Sequence, residues 1–180
     1  MGRPKQLLPL GDKTVIKHCV DNIISALVRR IVVVVRPGAE GTAESLSGLP
    51  VSIVVNDNRD SDMAGSVRVG LASLDRSCSA VLVCLADHPL ASPETILSLM
   101  RAHRESPDKI IIPAYNGKRG HPSLFPATIL QEIFIFNTLR DIVRRDEKRV
   151  RVIDVPDEGV ILDMDTKEDY ERVLKKAGVV

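Results

Sequence analysis

Asp87 is the first residue in this sequence whose type and position could carry chemistry. It follows an uninterrupted apolar run, AVLVCL, over 80–85, and Pro89 ends the segment that comes next. Such a run is typical of a strand buried on both faces in a parallel sheet. Ligands of open α/β sheets bind outside the carboxyl ends of the strands, so an aspartate here is placed for metal or phosphate chemistry. The alternative is an ordinary role in a turn or a helix cap.

A second acidic segment lies near the end of the sequence. Residues 160–162 predict a strand that leads into Asp163, and an amphipathic helix follows. Asp165 or Thr166 can cap that helix, which leaves Asp163 as the better partner for Asp87. Two carboxylates at strand ends repel each other unless a cation lies between them, and Mg²⁺ prefers a few protein oxygens together with substrate phosphates.

The residues 1–10, MGRPKQLLPL, predict a loop that carries one lysine. Gly2 widens the allowed backbone dihedrals, and the two prolines remove backbone donors. Lys5 could hold a phosphate as a point charge. The alternative is a lysine that is simply exposed to solvent.

Two other loops carry glycine and polar residues. The loop 56–66, NDNRDSDMAGS, precedes a helix that ends near residue 74, and Ser66 is predicted to cap it and to leave free N–H groups above the sheet. Further on, Gly120, His121 and Pro122 follow a hairpin signal at 115–118. His121 is either a substrate contact or an exposed loop residue.

The elements that must position these residues alternate along the chain, which is typical of βαβ units and a parallel sheet. We therefore expect an α/β fold with a three-layer, doubly wound, mostly parallel sheet, in a single domain over 1–180. Helices are predicted over 14–27, 41–49, 66–74, 93–105, 127–134, 138–145 and 166–174, and strands over 31–35, 51–55, 80–85, 110–114, 123–125, 150–155 and 160–162.

Composition excludes several classes of protein. The net charge is +1, from 25 basic and 24 acidic residues, which argues against a nucleic-acid or membrane partner. The three cysteines show no metal-ligand spacing and are expected to be reduced thiols. No apolar run reaches the length of a bilayer span, and the first residues lack a secretory signal. We expect a cytoplasmic protein.

Several separated segments resemble the MobA-like nucleotidyltransferases, and specifically the molybdenum cofactor cytidylyltransferase branch. Met1, Gly2 and Lys5, followed by Gln-Leu-Leu-Pro, are similar to the second half of the family's signature loop. Asp87, with Pro89 after it, is similar to a strand that ends in Gly-Asp-Gln-Pro and whose aspartate binds Mg²⁺. In this sequence, alanine replaces the glycine of that motif and histidine replaces its glutamine.

Three more segments extend the resemblance over nearly all of the chain. Met63, Gly65 and Ser66 resemble a glycine-methionine-serine segment that lines the family's active site. Gly120-His121-Pro122 resembles the segment that faces a phosphorylated acceptor. The pattern that begins at Asp163, Asp-x-Asp-Thr-x-Glu-Asp-Tyr, is similar to the end of the catalytic region.

The resemblance implies a Rossmann-like nucleotide-diphospho-sugar transferase fold, in a sequence that lacks the family's first strand and the glycine-rich half of its signature loop. It implies Mg²⁺-dependent transfer of CMP, or of GMP, from a nucleoside triphosphate to the molybdenum cofactor, with a molybdoenzyme or its chaperone as a protein partner. The implied roles are catalysis for Lys5 and Asp87; nucleotide binding for Gly2, Lys5, Gly65 and Ser66; acceptor binding for Gly120, His121 and Pro122; and metal binding for Asp87 and Asp163.

Two alternatives remain open from the sequence. One is cytidylyl or uridylyl transfer to a sugar phosphate or another small molecule. The other is a non-catalytic nucleotide-binding module, left without most of the backbone N–H groups that would neutralise a triphosphate.

Overall fold

Apolar residues at helical or strand spacing form most of the elements of the computed structural model, which describes residues 4–75 and 77–179. The strands are β1 (Pro9–Leu10), β2 (Lys13–Thr14), β3 (Val32–Val35), β4 (Ser52–Val55), β5 (Ala80–Val83), β6 (Ile110–Tyr115), β7 (Lys118–Arg119), β8 (Ser123–Pro126) and β9 (Val150–Asp154). The helices are α1 (Val15–Ser25), α2 (Glu40–Ser45), α3 (Met63–Ala72), α4 (Pro93–Glu105), α5 (Ala127–Leu130), α6 (Leu139–Arg144) and α7 (Lys167–Lys176). Single turns of 3-10 helix occupy Lys5–Leu7, Gln131–Phe134, Glu147–Arg149 and Glu158–Ile161.

The central strands form two hydrogen-bonded groups. In the first group, β3 and β4 pair in parallel. In the second, β8 lies antiparallel between β5 and β6, and β9 pairs in parallel with β6. Because β8 is antiparallel to both neighbours, β5 and β6 share a direction, and β9 follows it. The central sheet is therefore mostly parallel in direction, as the sequence predicts.

Helices cover both faces of these strands. On one face, Leu99 and Ala102 of α4 pack on Ile111. On the other face, α3 and α6 share a buried cluster with Ile110 and Ile112. Successive side chains of a strand point to opposite faces, so one β6 strand supplies both cores. Of the described helices, none combines the length and apolar character that a bilayer crossing needs.

Two predictions about the ends of elements are wrong. Ser66 does not cap α3, because the helix begins three residues earlier and the Oδ1 atom of Asp62 accepts the Gly65 N–H at 2.8 Å. No strand precedes Asp163, because Glu158–Ile161 form a 3-10 turn in which Asp157 accepts the Gly159 N–H at 2.9 Å. Three apolar residues do not distinguish a strand from a turn when a nearby carboxylate offers the backbone a competing hydrogen bond.

The first described residues also differ from the predicted loop. Pro9 and Leu10 pair with Lys13 and Thr14 in a short antiparallel hairpin. Leu10 is fully buried in a cluster with Val15, Met164 and Val173. The amino-terminal segment is therefore fixed to the same part of the molecule as the carboxy-terminal helix α7.

Candidate active site

Lys5 and Asp87, 82 positions apart in sequence, form an ion pair just beyond the carboxyl end of β5. The Lys5 Nζ atom donates to Asp87 Oδ2 at 2.6 Å, and both side chains are largely buried, with exposed fractions of 28% and 21%. The 3-10 turn Lys5–Leu7 holds the lysine there. The structure thus brings the two predicted catalytic residues together.

Asp165 is the second carboxylate on Lys5, and the sequence reasoning left it as a candidate cap. The Lys5 Nζ atom donates to Asp165 Oδ1 at 2.8 Å. Thr166 and Asp169 form the capping box of α7, so Asp165 is not needed as a cap. The fully buried Met164 side chain anchors this segment in the core, and its two flanking aspartates are exposed at the surface. This alternation of aspartate, methionine and aspartate was the signal in the sequence.

The carboxylates determine the protonation of the lysine. Burial lowers the pKa of Lys5, but the hydrogen bonds from Lys5 to Asp165 and Asp87 outweigh that effect, and the pKa lies above its ordinary value. Lys5 therefore stays positively charged at neutral pH. An ammonium group carries three donors, so one N–H remains beyond the two carboxylate bonds for a further oxygen ligand.

Asp163 lies on the same rim as Asp87. Asp163 lies two residues before Asp165, and Asp165 shares the Lys5 ammonium with Asp87. The two predicted metal ligands are therefore in neighbouring segments of the structure. The Lys5 ammonium, however, bonds to Asp165 and not to Asp163.

His88 and His121 form an edge-to-face pair beside Asp87. Their ring centroids are 5.2 Å apart and the rings are inclined by 61°. The Nδ1 atoms of both rings and the Oδ1 atom of Asp87 are buried and lack a hydrogen-bond partner in the described structure. Burial lowers the pKa of both histidines, so both imidazoles are neutral at pH 7. A ligand that binds beside Asp87 and the two histidines would therefore meet three buried polar atoms that have no hydrogen-bond partner in the described structure.

Close backbone contacts hold the two histidines in place. The His121 N–H donates to the Val160 carbonyl at 2.8 Å, and Gly120 lies so close to that carbonyl that a Cβ atom would overlap it. The peptide bond between His121 and Pro122 is cis. On the His88 side, Asn22 of α1 donates to the carbonyls of Pro89 and Ala91, at 3.0 Å each. Neither Asn22 nor Val160 carried a functional signal in the sequence.

The predicted nucleotide-binding residues of α3 lie in its first turn. The Gly65 N–H is already bonded to the Asp62 cap, and the Ser66 hydroxyl accepts a bond from Asn56 at 3.3 Å. These two residues are therefore tied into the loop after β4. Gly2 lies outside the described residues.

The carboxylates of Asp87 and Asp163 suit a divalent cation that is held mainly by the substrate. No group of three acidic, histidine or cysteine side chains in 4–75 and 77–179 has the geometry of a metal cage. The unpartnered Oδ1 atom of Asp87 and the nearby Asp163 carboxylate are hard oxygen donors of the kind that Mg²⁺ uses together with phosphate oxygens. Asp87 and Asp163 therefore fit an ion that binds along with a nucleotide.

Comparison with known families identifies the family to which the chain belongs. The MobA-like NTP transferase domain matches residues 1–151, which is most of the 180-residue chain. The chain belongs to the MobA-like NTP transferase family. The resemblance inferred from its motifs is confirmed at this level, and so is the fold class.

Relatives of known sequence or structure cover nearly the whole chain. The nicotine blue oxidoreductase of Paenarthrobacter nicotinovorans is 28% identical over 186 residues, which cover 97% of this chain and 90% of that protein. The crystal structure of Rv0371c from Mycobacterium tuberculosis in complex with manganese is 25% identical, with a TM-score of 0.78 over 97% of this chain and 93% of that one. A nucleotidyl transferase from Methanothermobacter (Mth528) has the same fold, with a TM-score of 0.84 at 24% identity over 97% of this chain and 85% of that one.

Proposed function

We propose that this chain transfers CMP from CTP to the phosphate group of molybdopterin and releases pyrophosphate, acting as a single nucleotidyltransferase domain. The observation that carries this proposal is the Lys5 ammonium held between Asp87 and Asp165 beyond the carboxyl end of β5. A cation flanked by carboxylates, at the sheet edge where α/β proteins bind ligands, suits a triphosphate and its metal. The resemblance of Lys5–Pro9 to the cytidylyltransferase branch supports CTP over GTP in this proposal.

The proposed reaction needs little proton chemistry. An ionised phosphate oxygen of the acceptor attacks the α-phosphorus of CTP, a new P–O bond forms, and the bond to the β-phosphate oxygen breaks as pyrophosphate leaves. The free N–H of Lys5 stabilises the negative charge that develops on the phosphates. Gly65, Ser66 and Gly2 line the nucleotide side in this proposal. Gly120, His121 and Pro122 contact the acceptor, and the neutral His121 ring donates or accepts a hydrogen bond there.

We propose Mg²⁺ as the metal, with Asp87 and Asp163 as its protein ligands. When bound, the ion supplies charge neutralisation on the phosphates of the nucleotide. The manganese in the Rv0371c structure supports a divalent cation in this family. Activity is expected with Mg²⁺ or Mn²⁺ and is expected to be lost in EDTA.

The test is pyrophosphate release from CTP with molybdopterin as acceptor. Asp87→Asn should lower the rate by at least a hundredfold, because it removes the carboxylate that both Lys5 and the metal use. Asp108→Asn is the matched control, since Asp108 is exposed and its ion pair among the described residues is with the adjacent Lys109. Undiminished release by Asp87→Asn would refute the proposed role of Asp87. Weak or absent binding of Mg²⁺–CTP by the wild-type chain in calorimetry would favour the non-catalytic module, which is left without most of the backbone N–H groups that neutralise a triphosphate.

The acceptor and the base are tested separately. Pyrophosphate release is measured with molybdopterin or a sugar phosphate as acceptor, each combined with CTP, GTP or UTP. These assays distinguish transfer to the molybdenum cofactor from transfer to a sugar phosphate. Turnover with a sugar phosphate but not with molybdopterin would replace the proposed acceptor. Co-purification with a molybdoenzyme or its chaperone would support the proposed protein partner.

A second candidate is an oxidoreductase that acts on nicotine blue or a similar dye. It is favoured by the identity of 28% to the Paenarthrobacter protein over almost the whole length of both chains. Incubation with nicotine blue and a reduced nicotinamide nucleotide, followed by visible absorbance, tests it. Rapid bleaching without pyrophosphate release in the transfer assay would favour this candidate over nucleotidyl transfer.

A further inference from the structure

β4 is an outer strand of the structure, and one of its edges carries unpaired backbone groups. Among the described residues, β4 pairs with β3 alone, on one side. The N–H groups of Ser52 and Asn56 donate to carbonyls at or next to the two ends of β3, at 2.8 Å each. Backbone groups alternate in direction along a strand, so Ile53 and Val55 direct their N–H and C=O groups away from β3.

The side chains at this edge are apolar and exposed. Ile53 is 36% exposed and Val55 is 46% exposed. Ile53 lies beside Val33, which packs against α1, so both side chains are on that face of the sheet but beyond the cover of the helix. No charged residue occurs in the segment 51–56, VSIVVN. An uncharged apolar edge of this kind is a template for pairing with another strand.

The outer strand of the five-stranded group, β9, has a different edge. In the described part of the chain, β9 pairs with β6 alone. It carries Arg151 and Asp154, and Arg151 donates to the Glu105 carboxylate at 2.8 Å. Charged side chains on an outer strand oppose pairing with a further strand. Of these two outer strands, β4 is therefore the one that suits an added strand.

A second copy of β4 is complementary to this edge in the antiparallel register that sets Val54 opposite its own copy. In that register, the outward groups of Ile53 face those of Val55 in the second copy, and the two residues exchange backbone hydrogen bonds. Directly opposite side chains share a face, so Ile53 and Val55 of both copies form one apolar cluster. The contact is the same on each copy, as a two-fold dimer requires.

The charges at the two ends of β4 match in the same register. Asp57 follows β4 directly, is exposed, and would lie opposite Val51 of the second copy. Arg29 is also exposed, and it lines one cavity with Val51 and Ser52 at the amino end of β4. Neither Asp57 nor Arg29 takes part in an ion pair within 4–75 and 77–179. Antiparallel pairing would bring the Asp57 carboxylate of each copy towards the Arg29 guanidinium of the other.

We propose that two copies of this chain associate through antiparallel pairing of their β4 strands, about a two-fold axis at Val54. The occupant of the edge is a second copy because the backbone groups, the apolar side chains and the end charges of β4 all match themselves in this one register. Strands of this length bury less surface than the roughly 1,200 Å² of a stable interface. The dimer is therefore weak, and its population depends on protein concentration.

Sedimentation velocity on the 180-residue chain tests for the dimer, from about 10 μM to about 1 mM, a range suited to a small interface. The average mass should rise from 19.7 kDa towards twice that value. Val55→Lys should raise the dissociation constant about tenfold or more, because it places charge inside the apolar cluster. Val152→Lys is the matched control, since Val152 is 40% exposed on β9. A chain that stays monomeric, or a dimer lost only in Val152→Lys, would overturn the proposal.

A cysteine at the axis tests the register without an added charge. Val54 lies opposite itself in a non-hydrogen-bonded pair, where Cα atoms are about 4.5 Å apart and a disulfide can form. Val54→Cys should therefore give a covalent dimer on mild oxidation, seen on a non-reducing gel. The wild-type chain, with its three native cysteines, and Val152→Cys are the controls. No covalent dimer in Val54→Cys, or an equal yield in all three proteins, would contradict the register even if Val55→Lys does not fold.

Charge reversal tests whether the added strand belongs to a copy of this chain. Asp57→Arg and Arg29→Asp should each weaken the dimer about fivefold at low salt, because two repulsive pairs replace two attractive ones. The double variant should recover the wild-type dissociation constant. A double variant as weak as the single variants would overturn the two-fold pairing. These measurements follow mass and cross-links, so they stand whether or not the proposed transfer reaction is correct.

Discussion

At the scale of single residues, the site consists of one cation shared by two carboxylates, beside two neutral histidines. The sequence placed Lys5, Asp87, Asp163 and His121 among the candidates, and the structure brings them to one rim. It adds Asp165, whose carboxylate bonds to Lys5. Three of these residues, Lys5, His88 and His121, lead to measurable predictions.

Lys5→Ala should weaken the binding of Mg²⁺–CTP by about tenfold. A hydrogen bond to a charged group is worth roughly 1.5–3 kcal/mol, and partial exposure of the ammonium to solvent reduces this value. Isothermal calorimetry measures the change. Lys109→Ala is the control, because Lys109 is paired with Asp108 just before β6, at the other edge of the sheet. Equal affinities for the two variants would contradict a role of Lys5 in phosphate binding.

Protein stability should fall as the pH drops below about 6.5. Burial lowers the pKa values of His88, His103 and His121 from their ordinary value of 6.5. Between the folded and unfolded pKa values of these histidines, the unfolded chain binds more protons than the folded chain. The free energy of unfolding therefore rises with pH, and the contribution of the histidines is complete above about 6.5. Urea denaturation in EDTA from pH 5 to pH 8 measures this slope. His121→Gln should make it shallower, whereas an unchanged slope would argue against a buried neutral imidazole at this position.

At the scale of elements, close backbone contacts and caps decide where the functional residues lie. Gly120 lies so close to the Val160 carbonyl, and Gly159 to the Leu90 carbonyl, that a Cβ atom would overlap either one. The segment 158–161 therefore packs tightly against the loops that carry His88 and His121. Asp157 adds a cap to this turn and accepts hydrogen bonds from Ser92 and Thr95 at the start of α4. These contacts explain why a 3-10 turn, and not a strand, precedes Asp163.

Gly120→Ala should destabilise the protein by about 2–4 kcal/mol, because the added methyl group overlaps the backbone carbonyl of Val160 and the backbone must move. Gly41→Ala is the matched control. Its Cβ meets only the flexible end of the Leu7 side chain, and alanine is favoured over glycine in the helix α2. Chemical denaturation of both variants measures the difference. Similar stabilities for the two variants would show that the loop before His121 adjusts freely.

At the scale of the whole molecule, the central strands form two separate hydrogen-bonded groups. The β3–β4 pair is linked to the five-stranded group through side-chain packing of α1 and α3, without shared strand hydrogen bonds in the described residues. The β4 residues Ile53 and Val55 are also exposed. This half of the sheet therefore has fewer interactions that resist local opening.

Native-state hydrogen exchange in low urea should show that the β3–β4 pair opens before the rest of the sheet. The paired amide of Val54 should exchange through an opening at least 1–2 kcal/mol below that of Ile111 in β6, on the order of the differences seen between cooperative units. β4 and β6 can be compared because each pairs in parallel with a neighbouring strand, β4 with β3 and β6 with β9. Convergence of both amides on one opening free energy would show that the two groups of strands unfold as a unit.

The sequence by itself determined the order of the central strands and helices, the mostly parallel sheet and the family, although it did not predict the β1–β2 hairpin or the 3-10 turn before Asp163. These follow from local signals: the apolar run before Asp87, the turn residues Asn116 and Gly117, which take positive φ angles of 48° and 76°, and the motifs around Lys5, Asp87 and His121. Periodicity and turn chemistry depend on neighbouring residues, so a single sequence carries them.

Only the tertiary structure decided which carboxylate meets Lys5, where α3 begins and how the sheet is divided. Asp165 reaches Lys5 because the adjacent Met164 side chain is buried in the core and fixes this part of the chain. Asp62 caps α3 because the chain turns there after β4. The division of the strands into two groups depends on which strand edges pair across the molecule. Contacts between residues far apart in sequence leave no local periodicity, and for that reason the sequence did not reveal them.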